Sequence, residues 1–252
     1  MSSVQSLDRA FNILEIISEH QSGISLTDLS ERSGLHKSTV FRLASSLMEN
    51  GYIEQTANSL YKITYKMYEI GSRVYENLSI IEAARDSLEK LVKELGEVGH
   101  LVIRNDTKII YIDKINSGRN SAIMGSSIGS TAPMYCTSVG KAMLFNAKEK
   151  EIKNLWEKSK IVGRTESTIT DVEDFIEDIK ISKERGYSID NEENELGIRC
   201  IGAPIYNSTN NICGALSISG PISRINSETL ESYAQPLIEA TQEISRKMGY
   251  LG

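Results

Sequence analysis

The chain has 252 residues, of which 40% are hydrophobic, with three cysteines and a net charge of −6. This length suits two modest domains that each bury a core, and no apolar run approaches the roughly 20 residues of a membrane-spanning helix. Because the cysteines include no C-x-x-C pair and the first 17 residues lack the features of an export signal, we expect a protein of the reducing cytoplasm without a disulfide framework.

The first 34 residues predict two helices. Apolar residues recur at helical spacing from about residue 4 to residue 20, beginning with Val4, Leu7 and Phe11, and this pattern indicates an amphipathic helix. A second, short helix follows. Ser25 is its expected N-cap, an acidic residue stands three positions later as in a capping box, and Gly34 is its expected end.

A third helix with two different faces is predicted by the stretch GLHKSTVFRLASSLMENG, residues 34–51. Apolar side chains gather on one side, and Ser38, Arg42 and Ser45 fall opposite them. Two short helices joined by a turn, the second with a polar face, are typical of a helix that enters the major groove of DNA. We predict that the DNA contacts come from Thr27, Lys37, Ser38, Thr39, Arg42 and Ser45.

An ordinary surface helix is the alternative, because short helix-turn-helix patterns recur by chance. Two β-prone runs, Tyr52–Gln55 and Leu60–Thr64, surround the turn-forming TANS and predict a hairpin that would serve as a wing. The basic charge near the third helix is small, so we expect specific binding to depend on base contacts and on more than one copy of the module.

A fourth helical pattern begins after Tyr65 and carries the apolar stripe Met67, Ile70, Val74 and Leu78. The winged module offers this stripe no partner, so the next domain or a second subunit must cover it. We therefore divide the chain into a winged helix-turn-helix domain at 1–65, a linker helix at 66–79 and a second domain at 80–252.

The second domain mixes strands and helices, and its neighbouring strands are spaced as hairpins. The predicted strands are VGHLVIRN, KIIYIDKI, SAIM, RCIGAPIYNS and NICGALSISG, and the predicted helices are IIEAARDSLEKLVKELG, SVGKAMLFNA, KEKEIKNLWEKS and DVEDFIEDIKISKERG. A last helix should run from about Asn226 to Met248 with a bend at Pro236. The pattern predicts an α+β domain with a mostly antiparallel sheet.

An enzymatic role is the first alternative function. The stretch GSSIG, residues 125–129, matches a hydrolase nucleophile motif, but Pro133 stands where the required helix should begin, and no histidine follows His100. We therefore predict that the protein is not an enzyme. A small-molecule hydrolase stays open as an alternative, and so does a signalling module whose winged helix binds protein.

A metal site is also not predicted, and we expect no cofactor. The histidines, His20, His36 and His100, lie far apart in the sequence. The acidic run DNEENE, residues 190–195, lacks the ligand spacing of an EF-hand loop, so a solvated loop is the preferred interpretation.

Three stretches together resemble the IclR family of transcriptional regulators: HKSTVFRLASSLMENGYIE, APMYCTSVGKAML and RGYSIDNEENELGIRCIGAPIYNSTNNICGALSISGP. The resemblance covers nearly the whole chain. It implies a winged helix-turn-helix domain, a linker helix and a GAF-like effector-binding domain, assembled as a homodimer or a dimer of dimers on operator DNA. The implied function is a ligand-responsive regulator, expected to be a repressor, of an operon for carbon-source breakdown. His36 departs from the Pro or Ser that is usual in the family.

An effector site is expected on one face of the second domain's sheet. Strand alternation puts Ser217 and Ser219 on the same side, with Cys200 beside them on the preceding strand, although such serines also suit a solvated sheet face. The family resemblance implies effector contacts at Met124, Ser138, Val139, Asp190, Cys200, Ser217 and Ser219.

The expected effector is a small carboxylate, such as a keto acid, sugar acid or aromatic acid. A helix that begins near Thr137 or Ser138 would offer free N–H groups to the carboxylate beside Ser219, without help from a lysine or arginine. Asp190 would accept a hydrogen bond from a hydroxyl group at the far end of the ligand.

Overall fold

The computed structural model describes residues 4–76, 79–118 and 125–251, and it divides the chain into two compact units, 1–78 and 79–252. None of the helices within those residues is long and apolar enough to cross a membrane. The first unit contains, in order, α1 (Gln5–Ser18), α2 (Leu26–Ser33), α3 (Lys37–Glu49), β1 (Ile53–Gln55), β2 (Tyr61–Ile63) and α4 (Lys66–Glu76).

The predicted start and end of α2 are confirmed. Ser25 Oγ accepts a hydrogen bond from the Asp28 backbone N–H at 3.2 Å and donates one to the Asp28 carboxylate at 2.7 Å. Gly34 ends the helix with φ of 66°, a conformation that glycine adopts without a steric penalty. Ser25 therefore fixes the beginning of α2, and Gly34 forms the turn that leads to α3.

The core of the first unit lies between α1, α2, α3 and the hairpin. Its buried side chains include Ile13, Leu14, Ile17, Leu29, Val40, Ala44, Leu47, Ile53 and Tyr61. The predicted amphipathic helix is present as α1, and the buried part of its apolar stripe lies in its second half. Val4, Leu7 and Phe11 are more than half exposed, because the core is assembled against the second half of the helix.

The predicted hairpin is present, with slightly shorter strands than expected. β1 and β2 are antiparallel, with Ile53 opposite Ile63 and Gln55 opposite Tyr61. A bridge between Ile24 and Tyr61 ties this hairpin to the segment before α2. The winged helix-turn-helix is therefore held together by its own core.

The second unit is built on a six-stranded antiparallel sheet with the strand order β5-β4-β3-β8-β7-β6. Its elements are α5 (Ser79–Leu95), β3 (Val98–Asn105), β4 (Lys108–Ile115), β5 (Thr131–Pro133), α6 (Ser138–Ala142), α7 (Glu149–Lys158), α8 (Val172–Arg185), β6 (Ser188–Asn191), β7 (Ile198–Tyr206), β8 (Ile212–Pro221) and α9 (Leu230–Lys247). The predicted α+β class is confirmed. The predicted strand SAIM lies outside the described residues.

Two glycines mark the faces of this sheet. A Cβ atom at Gly99 would lie 2.5 Å from the Val92 side chain of α5, and a Cβ atom at Gly202 would lie 2.7 Å from the backbone of Ser138, where α6 begins. Gly99 pairs with Ile218 and Gly202 pairs with Ser217, so the two glycines face opposite sides. Helix α5 therefore covers one face and α6 the other.

Candidate DNA-binding and effector sites

The predicted DNA-contacting residues lie on α2 and α3 of the first unit. Lys37, Ser38 and Arg42 are exposed on α3, and Thr27 is exposed on α2. Thr39 and Ser45 of α3 are half-buried. The opposite side of α3 packs into the core, so the helix has the two-sided character that groove binding requires.

The beginning of α3 has an unusual cap. His36 occupies the N-cap position, and its side chain makes no capping hydrogen bond. Its carbonyl oxygen accepts the N–H groups of Thr39 at 2.8 Å and Val40 at 3.0 Å. The first turn of α3 is thus ordered by the backbone and the core, without the help of the capping side chain.

The start of α4 is tied to the end of α3 and to the hairpin. Lys66 Nζ donates to the Asn50 carbonyl oxygen at 2.6 Å and lies 4.7 Å from the centre of the Tyr52 ring. Thr64 Oγ1 donates to the Gly51 carbonyl oxygen at 2.6 Å. These contacts fix the wing relative to α3. No sequence pattern predicted that Thr64 and Lys66 would make them.

A cavity of about 280 Å³ lies in the second unit, and part of its wall is the sheet face that carries Ser219. The paired strands put Cys200 opposite Ser219, which confirms that the two side chains share a face. The cavity wall carries polar groups of several kinds, which include His100, Arg164, Asp190, Asn194, Cys200 and Ser219. The arrangement can hold a small polar molecule.

His100 is a cavity-wall residue that was not among the predicted effector contacts. Its Nε2 lies 2.8 Å from Ser126 Oγ, and its Nδ1 lies 3.4 Å from Ser217 Oγ and 3.5 Å from Ser219 Oγ. Burial lowers the pKa of His100 to about 3, with a further contribution from the positive charge of Lys114. The ring is therefore neutral at physiological pH and offers one donor and one acceptor. Its side chain reaches the cavity because β3 pairs with β8, and no sequence pattern indicated that pairing.

Asp190 lines the same cavity from the edge strand β6. Its Oδ1 accepts the backbone N–H groups of Glu193 at 2.8 Å and Asn194 at 3.2 Å. Burial, with a smaller effect from the Glu193 charge, raises the pKa of Asp190 to about 7. This side chain therefore changes between carboxylic acid and carboxylate near neutral pH.

The interpretation of residues 190–195 as a solvated loop is wrong for two of its members. Asp190 is 3% exposed, and Glu193 is 4% exposed. Glu193 is buried because its carboxylate forms an ion pair with the buried Lys141 of α6, at 2.6 Å. The same ammonium group also contacts Asp178 of α8, at 2.8 Å. Part of the acidic run at residues 190–195 is therefore buried and paired with a lysine.

Arg164 supplies a positive charge to the cavity wall, where no lysine or arginine was predicted to be needed. Its Nε donates to the Asn194 carbonyl oxygen at 3.2 Å. The thiol of Cys200 stays protonated, since burial raises its pKa well above the usual range. The wall therefore combines a guanidinium group with neutral donors and a titratable acid.

Three of the predicted effector residues are not part of the described cavity wall. Ser138, Val139 and Ser217 are buried, and the first two lie at the beginning of α6, which packs against Gly202. Ser188 Oγ donates to the Ser138 carbonyl oxygen at 2.5 Å and holds this end of α6 in place. The helix is also only five residues long. Met124, the remaining predicted residue, lies outside the described residues.

Comparison with known proteins identifies both units. The model of the IclR helix-turn-helix domain matches residues 6–57, and the model of the bacterial transcriptional regulator IclR C-terminal domain matches residues 72–246. The HTH-type transcriptional regulator KdgR of Escherichia coli is 36% identical over 98% of this chain and 94% of its own length. The acetate operon repressor of Salmonella typhimurium is 29% identical over 98% of this chain and 90% of its own length.

A solved structure agrees with these matches. The crystal structure of the Thermotoga maritima IclR is similar with a TM-score of 0.81 and 33% identity, covering 98% of this chain and 99% of that chain. The resemblance stated from the sequence is therefore confirmed, and so is the prediction of a DNA-binding regulator rather than an enzyme. The chain belongs to the IclR family of bacterial transcriptional regulators.

Proposed function

We propose that this regulator represses an operon for carbon-source breakdown and that a small carboxylate, such as a keto acid, sugar acid or aromatic acid, controls its binding to DNA. The observation that carries the proposal is the cavity on the β7-β8 face, where Arg164 and Asp190 stand in one wall. At about 280 Å³ it is near the lower end of the usual range for ligand pockets, about 300–1,000 Å³, which favours a small effector.

The carboxylate group of the effector binds near Arg164, with the Ser219 hydroxyl as a further donor. A guanidinium group is the side chain best suited to a carboxylate, because its planar N–H groups match the two oxygens. This assignment replaces the beginning of α6 as the main anion partner. The start of that helix packs on Gly202, and none of its residues belongs to the described cavity wall.

Asp190 binds a hydroxyl group at the other end of the effector. Its Oδ1 already accepts two backbone N–H groups and the Cys200 thiol is a further partner of the carboxylate, so a ligand hydroxyl uses the remaining acceptor capacity of Oδ2. An ionised Asp190 repels a second carboxylate. This favours a hydroxylated monoacid over a diacid, and Ser138, Val139 and Ser217 support the wall from behind.

DNA binding is carried by Thr27, Lys37, Ser38, Thr39, Arg42 and Ser45, with α3 in the major groove. The exposure of Ser38 and Arg42 opposite the core side of α3, and of Lys37 in its first turn, supports this assignment. Arg42 reads a base, since arginine binds guanine with two hydrogen bonds. Lys37 lies in the first turn and binds a phosphate.

The regulator works as a homodimer or a dimer of dimers. Met67 and Ile70 of α4 are 41% and 42% exposed, and in the first unit Leu7 and Phe11 of α1 are more exposed still. A second subunit would remove this apolar surface from water and would place two copies of α3 on a two-fold related DNA site. Leu78, the last member of the predicted stripe, lies outside the described residues.

A thermal-shift screen tests the proposal, with keto, sugar and aromatic acids and their uncharged amides as ligands. Only a ligand that prefers the folded state raises the melting temperature, so we expect hits among the acids and none among the amides. Each hit is then added to the protein bound to duplexes from its own promoter region, and release of the DNA is expected. Hits confined to amides would overturn the carboxylate assignment, and failure to retard any promoter duplex would overturn the repressor assignment.

A further inference from the structure

Phe41 exposes a phenyl ring on the helix that carries the proposed DNA contacts. Its side chain is 54% exposed, whereas Val40 and Ala44 of the same helix are fully buried. A single exposed apolar residue is common on protein surfaces and needs no explanation by itself. Phe41 needs an explanation because it lies on α3, next to the residues that we propose to contact DNA.

Phe41 is a neighbour of the polar residues of α3. It follows Ser38 by three positions and precedes Ser45 by four, and side chains at these spacings lie next to each other on a helix. At 100° per residue, the ring lies about 60° from Ser38 and about 40° from Ser45. Lys37, one turn earlier, is on the same flank. Arg42 lies about 100° from the ring, so Phe41 stands at the edge of the polar face, beside Ser38 and Ser45, which approach the bases.

The major groove contains one apolar group that a phenyl ring can contact, the C5-methyl group of thymine. The other base edges in that groove are hydrogen-bond donors and acceptors, which lose water without compensation when a phenyl ring covers them. The serine hydroxyls and the Arg42 guanidinium group offer hydrogen bonds and give a methyl group no comparable contact. The ring therefore adds a kind of recognition that its polar neighbours lack.

We propose that Phe41 reads a thymine methyl group in each copy of the DNA site, and this inference rests on the proposed placement of α3 in the major groove. Burying one methyl group against the ring stabilises the complex by the amount typical of one buried carbon, so its loss should weaken binding about fourfold. Phe41 is thereby a specificity-determining residue. It distinguishes thymine from cytosine and from uracil by the methyl group.

The test uses the full-length protein and a duplex that the protein itself selects from a random library. Each thymine in the selected duplex is replaced singly by uracil, which keeps the pairing edge and lacks the methyl group, and affinities are measured by fluorescence anisotropy. The wild-type protein should lose about fourfold in affinity at one thymine of each copy of the site. The Phe41→Ala variant should bind the thymine and uracil duplexes equally at that position.

Ile181→Ala is the control, because Ile181 is an apolar residue of similar exposure, 48%, on α8 of the second unit, and it belongs neither to the proposed DNA contacts nor to the proposed subunit contact. It should keep the preference of the wild-type protein for thymine. For each variant, the affinity for the thymine duplex is divided by the affinity for the uracil duplex. A change in folded fraction or in assembly affects both affinities alike and does not alter this ratio. A Phe41→Ala variant that still prefers thymine at the sensitive position would contradict the inference.

Two further outcomes separate this inference from the proposed function. Selection of a defined sequence that shows no thymine-to-uracil effect would overturn the role of Phe41 and leave the DNA contacts of α3 intact. If Phe41→Ala then changed the oligomeric state, the ring would belong to a contact between subunits. A selection that enriches no sequence would overturn the placement of α3 itself.

Discussion

Lys141 and Glu193 are 52 residues apart in the sequence and form an ion pair inside the second unit, with Nζ 2.6 Å from Oε1. The Lys141 side chain is fully buried, and Asp178 is its second acidic partner. Burial alone would lower the pKa of this lysine, but the two carboxylates outweigh that effect and raise it. The ammonium group therefore stays charged and joins α6, α8 and the segment after β6.

The Lys141→Ala variant should be strongly destabilised, because it leaves two carboxylates in the interior without their cation. Breaking a buried pair in this way typically costs about 3–5 kcal/mol of unfolding free energy, and denaturant unfolding measures it. Lys153→Ala is the control, since Lys153 forms comparable pairs with Glu149 and Glu173 on the surface. It should change stability little. Equal effects of the two substitutions would contradict the structural role of Lys141.

Asp190 should make the stability of the second unit depend on pH. Its pKa is about 7 in the folded protein, above its ordinary value of 3.8, so the folded state holds a proton that the unfolded state releases. The stabilisation is complete below about pH 4 and is lost as the pH rises to about 7, with a total of roughly 4 kcal/mol. Asp190→Asn keeps an oxygen acceptor and cannot titrate.

Urea unfolding of the wild-type protein and of Asp190→Asn from pH 4 to pH 8 checks this prediction. Other groups contribute to both curves, so the difference between the curves isolates Asp190. We expect the free energy of unfolding of the wild-type protein to fall relative to the variant as the pH rises. A constant difference across this range would show that Asp190 does not titrate there.

The cap of α3 offers a stabilising substitution. His36 makes no capping hydrogen bond, whereas Ser25 at the equivalent place on α2 accepts one from Asp28. His36→Ser should stabilise the first unit by about 0.5–2 kcal/mol, and Ser25→Ala should destabilise it by a similar amount. Thermal unfolding followed by circular dichroism measures both shifts, and a fall in melting temperature for His36→Ser would refute the capping argument.

The sequence was most informative where structure depends on neighbours in the chain. The limits of α2 follow from Ser25 and Gly34, which act within one helical turn. The shared face of Cys200 and Ser219 follows from the alternation of side chains along strands, together with the hairpin that pairs the two strands. Both features are local, so both could be predicted without the fold.

Features that depend on distant contacts were missed. His100 reaches Ser217, 117 residues away, only because β3 and β8 are paired, and a lone histidine carries no signal of that pairing. β6 contains Ser188, Asp190 and Asn191, which are poor strand formers, and it exists as an edge strand through its pairing with β7. The buried Glu193 likewise depends on a lysine from another element.

Two substitutions on α3 should separate base contacts from phosphate contacts. Arg42→Ala should lose about 1–3 kcal/mol of binding free energy on the operator and much less on a scrambled duplex, because a bidentate contact with guanine depends on sequence. Lys37→Ala should weaken both duplexes alike and reduce the salt dependence of binding. Binding titrations at two salt concentrations measure these effects. Equal losses of Arg42→Ala on both duplexes would reject its role in reading a base.

Arg164 should determine whether the effector is an acid. A hydrogen bond to a charged group contributes about 1.5–3 kcal/mol, so the wild-type protein should bind the best acid at least about tenfold more tightly than the matched amide. Arg164→Met should remove most of this preference, while Arg164→Lys keeps a positive charge and should retain part of it. Calorimetry with each acid and its amide gives the ratio for every variant. The Arg164 side chain also donates to the Asn194 carbonyl oxygen, so melting temperatures are compared to exclude a general loss of structure. If the wild-type protein binds the amide as tightly as the acid, Arg164 does not hold a carboxylate.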